Sequence, residues 1–235
     1  MSWLRDWLDN EGHRRAWVRA KLEALPAGAL LLDAGCGSQQ YRPFCAHLRY
    51  EAQDFGQVGL DAVDSFAARP ASYTYGPLDY TGDIWAIPVA EGRFDAVLCT
   101  EVLEHVPYPA RTLNELGRVA KPGGWLLLTV PAHSLRHMDP HWYFPGFSDR
   151  WLTRLVGEAG FDIEELVRVG DYHSWMRTEA ARGMKLRPWA APFLLPAFAY
   201  HALAAAAPTP ASAASMCEGY YVSARRRSAA GAAHD

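Results

Sequence analysis

An acidic residue followed directly by Gly-x-Gly ends the first strongly apolar run of this chain, Leu30-Leu31-Leu32-Asp33-Ala34-Gly35-Cys36-Gly37. Glycines in such a turn let a ligand approach bare backbone, and the turn's N–H groups can receive its polar atoms. Two phosphate-binding patterns are missing. A dinucleotide fingerprint would place a third glycine where Gln40 stands, and no Gly-Lys-Ser/Thr follows. Asp33 would repel a pyrophosphate at this bend and suits a cationic or amine-bearing ligand. Asp54 lies nineteen residues beyond Gly35, near the ~20-residue offset at which a carboxylate reaches ribose hydroxyls in α/β folds. One carboxylate can accept both hydrogens of a diol.

These residues need strands and turns to hold them. Three leucines bounded by turn residues read as a strand buried on both faces, and open α/β sheets bind ligands at the carboxyl ends of such strands. A second strand is predicted around residues 48–52, ending at Asp54. Residues 56–78 are weakly patterned, and a short helix and a third strand are placed there. Residues 94–99 (Phe-Asp-Ala-Val-Leu-Cys) read as the fourth strand, running into Thr100-Glu101-Val102-Leu103-Glu104-His105-Val106. A crossover helix with Leu113, Leu116 and Val119 on one face leads to a turn at Lys121-Pro122-Gly123-Gly124, then a fifth strand over 125–130. Ser148 can cap a helix carrying Trp151, Leu152, Leu155 and Val156 and ended by Gly160. Residues 161–169 suggest a sixth strand and 219–224 the last.

With these motifs in order, the chain resembles the class I S-adenosylmethionine-dependent methyltransferases, and within them the type 11 group. The resemblance rests on Asp33-Ala34-Gly35-Cys36-Gly37, on Thr81-Gly82-Asp83-Ile84, on Phe94-Asp95-Ala96-Val97 leading to Glu104-His105-Val106, and on Asn114 to Val119 followed by Lys121-Pro122-Gly123-Gly124. It implies a Rossmann-like sheet of seven strands, mostly parallel with an antiparallel last strand and helices on both faces. It also implies S-adenosylmethionine as cofactor, with its homocysteine analogue as product. The ammonium and sulfonium of that molecule match the polarity inferred for Asp33. The implied cofactor residues are Asp33, Gly35, Cys36, Gly37, Asp54, Asp83, Ile84, Thr100, Glu101 and Val102. In such enzymes the Asp of the Gly-Asp-Ile segment accepts from the adenine amine while its apolar neighbour packs on the ring.

Methyl transfer is an in-line displacement governed by placement of the acceptor. An alcohol acceptor also benefits from a base, and histidine titrates nearest working pH. His105, His133 and His137 are the catalytic candidates, with His141 nearby. His137-x-Asp139-x-His141 has the alternation of an extended chelate and would need a third ligand such as His133; the expectation is loop histidines with no resident metal. The expected reaction is transfer to a small-molecule acceptor, an oxygen of a secondary metabolite or sugar. The alternative is a non-methylating S-adenosylmethionine-binding protein with a cyclase-like or regulatory role. An NAD-dependent oxidoreductase is disfavoured by Gln40 and by the segment at Asp83.

Composition bounds the remainder. The chain has 235 residues, half of them apolar, and a formal net charge of −3, which suits one globular domain and argues against nucleic acid as a partner. Arg225-Arg226-Arg227 reads as a solvated tail. Cys36, Cys45, Cys99 and Cys217 lack paired metal spacing and read as reduced thiols in a cytoplasmic protein. The apolar run over 192–207 contains Pro196 and His201, so stable membrane insertion is not expected. Residues 1–27, with Trp3, Leu4, Trp7, Leu8, Trp17, Val18, Leu22 and Leu25 at helical spacing, are expected to form a helical cap. Residues 171–218 are expected to be an insertion near the acceptor site, with 208–215 as a linker. Oligomeric state is left open.

Overall fold

Alternation of side chains along three adjacent strands divides the core into two layers, as period-two geometry requires. Strand β1 (Leu30–Ala34) sends Leu30, Leu32 and Ala34 to one face and Leu31 to the other. Strand β4 (Phe94–Thr100) likewise splits Val97 and Cys99 from Ala96 and Leu98, and β5 (Ala120–Pro131) splits Leu126, Leu128 and Val130 from Leu127. The computed structural model describes residues 10–56 and 75–228. The predicted helix around Trp3–Leu8 and most of the weakly patterned region over 56–78 lie outside the described residues.

The larger layer is covered by α2 (Pro109–Val119) and α3 (Asp149–Glu158). The amphipathic stripe read from the sequence is the buried one: Leu113, Leu116 and Val119 are fully enclosed. Ser148 caps α3 by accepting from the Trp151 N–H at 3.2 Å, and Gly160 ends it at φ +87°. The opposite layer is closed by α1 (Asn10–Glu23), whose Val18 and Leu22 pack with Leu25 against Leu31, Leu98 and Leu127.

Seven strands pair in the order β3-β2-β1-β4-β5-β7-β6, where β2 is Arg49–Asp54, β3 Tyr80–Thr81, β6 Phe161–Val169 and β7 Gly219–Arg226. β7 runs antiparallel to both β5 and β6, and the remaining ladders are parallel. The expected sheet is present. The third strand lies just beyond its predicted place, at Tyr80–Thr81. The Lys121–Gly124 turn sits inside β5: pairing steps from Phe94↔Ala120 to Ala96↔Trp125, so the intervening residues loop out of the ladder, with Gly123 at φ +75°.

Between β6 and β7 stand α4 (Tyr172–Leu186), α5 (Ala191–Ala205) and α6 (Pro210–Ser215). The predicted linker over 208–215 is a capped helix. Thr209 and Ser212 form a capping box, and the buried Ser212 hydroxyl donates to Asp171 at 2.7 Å while Asp171 also caps α4. Nor is Arg225-Arg226-Arg227 a solvated tail. Arg225 stacks on Trp125, Arg226 donates to the carbonyls of Gly117 and Gly160, and Arg227 donates to Gly157. The run is tied down because β7, which lies between β5 and β6, continues two residues past its predicted end.

Gly117 on α2 meets the C-terminal end of α3: a Cβ there would lie 2.3 Å from the Ala159 carbonyl oxygen. Alanine normally stabilises a helix interior by roughly 1 kcal/mol over glycine. Here Gly117→Ala is expected to destabilise by about 1–3 kcal/mol, read as a lower urea midpoint at unchanged slope. A midpoint equal to or above wild type would refute this contact.

Candidate active site

The sheet reverses its order between β1 and β4, and a cavity of about 340 Å³ opens at the carboxyl ends of the strands beside that switch. Its near wall is the glycine turn. Gly35 sits at φ +72° and Gly37 at φ +52°, a region that glycine enters without penalty. A Cβ on Gly35 would also lie 2.6 Å from a Val102 methyl. This glycine is therefore demanded by backbone twist and by close packing on the segment that follows β4, beyond any approach of a ligand. The turn is held from β2: the Gln53 carbonyl accepts from the N–H of Gly35 and Cys36 at 2.9 and 3.0 Å, and Asp54 accepts from Gly37 at 2.9 Å. A second Asp54 oxygen accepts from Gly56 at 3.2 Å, so its carboxylate is fixed at the cavity wall.

The opposite wall carries Asp83, Ile84 and Trp85. This segment is clamped from α2. Glu115 accepts from the Ile87 N–H at 2.6 Å, while Arg118 donates to the carbonyls of Ile87 and Val89 and pairs with Glu115 at 2.7 Å. The floor is Thr100, Glu101 and Val102 at the end of β4. Glu101 occupies the left-handed region at φ +52°, a strained conformation for a non-glycine residue. It is held there from three sides: its N–H donates to Thr129, its carboxylate accepts from the Thr129 hydroxyl at 3.0 Å, and Arg14 of α1 pairs with it at 3.1 Å. Burial opposes the Arg14 charge, but Glu101 and Tyr41 outweigh it and hold the guanidinium protonated.

The rest of the lining includes His105, Val106, Pro107, Met138, His141 and Tyr143. The loop supplying the last three is pinned by the N–H groups of Tyr143 and Phe144, which donate to the Glu104 carbonyl at 3.0 and 3.2 Å. His105 Nδ1 lies 2.7 Å from the His141 carbonyl, and its ring meets His137 edge-on at 4.6 Å between centroids. Burial first, then the Glu101 charge, pushes the Glu104 carboxyl well above the usual range.

Of the residues assigned to the cofactor from sequence, Gly35, Cys36, Gly37, Asp54, Asp83, Ile84, Thr100, Glu101 and Val102 line this one cavity. Asp33 does not, and its assignment is corrected. It alternates with Ala34 onto the Leu31 face of β1, where it is 2% exposed and accepts from the Tyr50 hydroxyl at 2.5 Å. Of the catalytic candidates, His105 lines the cavity and His137 meets its ring edge-on. His133 is on another wall: it borders a separate cavity with Trp151, Arg168 and residues 213–217, and its ring contacts Trp175. Residues 213–217 place the end of the 171–218 region on that second cavity as well. Sequence reasoning missed Arg14, Gln53, Phe55, Tyr75, Trp85 and Met138 as lining residues. Arg14 alone left a signal, the amphipathic helix directly before β1.

A family model for a methyltransferase domain matches residues 10–166, and the chain belongs to that family. It is a class I S-adenosylmethionine-dependent methyltransferase of the type 11 kind. Among curated proteins, the ubiquinone biosynthesis O-methyltransferase of Xanthomonas axonopodis pv. citri is 29% identical over 186 residues, covering 75% of this chain and 73% of that protein. Among solved structures, the [4+2]-cyclase SpnF superposes with a TM-score of 0.55 at 23% identity, over 89% of this chain and 78% of that one. The 1,6-didemethyltoxoflavin-N1-methyltransferase of Burkholderia thailandensis, with bound S-adenosylhomocysteine, gives 0.51 at 15% identity, over 92% and 77%. At these identities the two structures bear on the fold alone. Among the described residues no helix is long and apolar enough to cross a membrane.

Asp33 gives a pH dependence whose sign is fixed. Burial first, opposed by the Tyr50 hydrogen bond and aided by the Asp54 charge, raises its carboxyl from 3.8 to about 7. The folded state then binds this proton more tightly than the unfolded chain, so stability falls as pH rises between about 4 and 7. Asp33→Asn is expected to flatten that part of the stability–pH curve in the ligand-free protein, followed by urea unfolding. Parallel curves for variant and wild type would show that Asp33 ionises normally.

Proposed function

We propose that this methyltransferase transfers its methyl group to a hydroxyl on a ring-bearing small molecule, an O-methylation. What supports this reading is one cavity whose lining combines carboxylates with a cluster of histidine and aromatic side chains. Asp54, Asp83 and Glu101 line it against the cation of Arg14, which Glu101 already neutralises; a wall of that sign suits a cationic nucleoside. The cavity also falls within the ~300–1,000 Å³ span of ligand pockets. When bound, S-adenosylmethionine would supply an electrophilic methyl carbon on a sulfonium; the sulfur would leave as a neutral thioether and the proton of the acceptor hydroxyl would pass to water.

The chain's own residues divide the remaining work. Asp54, oriented by Gly37 and Gly56, accepts from the ribose hydroxyls. Asp83 accepts from the adenine amine and Ile84, held by the Arg118–Glu115 clamp, packs on the ring. The turn of Gly35, Cys36 and Gly37, with Thr100, Glu101 and Val102, receives the amino-acid end. The acceptor then lies at His105, Met138, His141 and Tyr143, where its hydroxyl is activated. His133, on the other cavity, has no part in this. The curated relatives named as ubiquinone biosynthesis O-methyltransferases favour oxygen as the atom methylated, and the aromatic end favours a flat ring over the sugar acceptor expected from sequence.

Two measurements test the assignment. Asp54→Ala and Asp83→Ala are each expected to weaken S-adenosylhomocysteine binding by about 1.5–3 kcal/mol, the scale of a hydrogen bond involving a charged group, in isothermal titration calorimetry. Wild-type affinity in both would place the nucleoside elsewhere. Incubation with methyl-labelled S-adenosylmethionine and a panel of phenols and catechols is expected to give labelled ethers. Tight cofactor binding with no transfer to any member would favour the non-methylating alternative.

A further inference from the structure

Glu104 is 1% exposed, and its Oε2 has no hydrogen-bond partner. A buried carboxylate oxygen left in that state is costly unless something positive reaches it. Two imidazoles stand beside it. His105 Nδ1 is 2.7 Å from the His141 carbonyl, and His137 Nδ1 is 2.7 Å from the Leu135 carbonyl. A carbonyl oxygen only accepts, so each Nδ1 carries the hydrogen and donates it, and in the neutral ring the lone pair is on Nε2. Pinning one imidazole nitrogen on a backbone carbonyl is how proteins orient histidines that ligate metal through the other. His105 Nε2 lies 3.7 Å from Glu104 Oε1, and one ligand atom from each of Glu104, His105 and His137 lies within 4.8 Å of the others.

We infer that Glu104, His105 and His137 form a binding site for one divalent transition-metal cation at the acceptor end of the cavity. Two imidazoles and a carboxylate are a three-ligand set that leaves coordination positions open, the pattern of catalytic rather than structural sites, and they suit zinc, cobalt or iron(II) over magnesium or calcium. Closing the three atoms around a cation about 2.1 Å from each requires a small contraction of side chains, chiefly of His137 on its loop. The site differs from the chelate expected from sequence. His137 is shared, but Asp139 is paired to Arg136 and His141 contributes its carbonyl to orient His105. Resting on the reading of this end as the acceptor pocket, the open positions would take the acceptor hydroxyl. The cation would lower that hydroxyl's pKa, and its proton would pass to water. His105 is then a ligand rather than the base.

The test is calorimetric titration of the chelator-treated chain with ZnCl₂, alongside the visible absorption of the CoCl₂-loaded protein, both without S-adenosylmethionine. The expected result is one cation per chain and cobalt bands indicating nitrogen and oxygen ligands. His137→Ala and Glu104→Gln are each expected to weaken binding by at least about 10-fold, since even partners outside the ligand set are worth that much. His137 lies on a partly exposed loop, so its variant tests the site even if Glu104→Gln fails to fold. The other close histidine pair, His173 and His201 with Nδ1 atoms 2.9 Å apart on α4 and α5, is the control, and His173→Ala should bind as wild type. No saturable uptake, or uptake untouched by His137→Ala, or uptake abolished by His173→Ala, would overturn the proposal. Because the cofactor is absent from the titration, such a failure leaves the assignment of the nucleoside end intact.

Discussion

One carbonyl organises the site. Gln53 at the end of β2 accepts from two successive N–H groups of the turn after β1, those of Gly35 and Cys36. Its neighbour Asp54 takes the Gly37 N–H through its side chain. With those donors committed to β2, the turn holds two glycines at positive φ, and the chain leaves β1 without covering the cavity. Two adjacent β2 residues thereby shape the turn and present a carboxylate to whatever lies over it. The alternation of β2 makes this possible, because consecutive residues offer main chain and side chain in different directions.

The other walls are positioned by comparable long-range ties. Arg118 and Glu115 on α2 grip the backbone of Ile87 and Val89 and so hold Asp83 to Trp85 against the cavity. Asp95 at the start of β4 accepts from the Leu30 N–H and pairs with Lys121, which aligns the two central strands whose far ends make the floor. Arg14 ties the N-terminal helix to Glu101 in its strained left-handed state. The motif residues around 95 and 114–121 are thus scaffolding for the cavity rather than parts of it.

Much of this was legible because buried parallel strands and glycine turns leave strong local signals. β6 falls on its predicted bounds, β2 ends on Asp54 as expected, and nine of the ten cofactor assignments share one cavity. Asp33 misled for a geometric reason: adjacency to the turn suggested contact, whereas strand alternation sends its carboxylate to the Leu31 side, against Tyr50. The arginines at 225–227 and the segment at 208–215 misled because composition says nothing about partners distant in sequence. Trp125, Gly117 and Gly160 await the arginines, and Asp171 awaits Ser212. Phe55, Tyr75 and Met138 reach the cavity only through tertiary placement, which no local pattern encodes.

Glu104 and Glu101 carry this argument to the acceptor end. They lie close enough for the Glu101 charge to raise the Glu104 carboxyl, yet their surroundings differ. Glu101 has Arg14 and the Thr129 hydroxyl; the side chain of Glu104 has its own backbone N–H, a histidine nitrogen at 3.7 Å and a bare oxygen. An apolar residue at 104 would fill the same space without that penalty, and the backbone of Glu104 already does the structural work of pinning the loop at Tyr143 and Phe144. A carboxyl at this place is therefore unnecessary for packing. Its position beside two imidazoles with oriented nitrogens, one of which, His105, lines the cavity, gives it a reason to be there that belongs to the acceptor's chemistry.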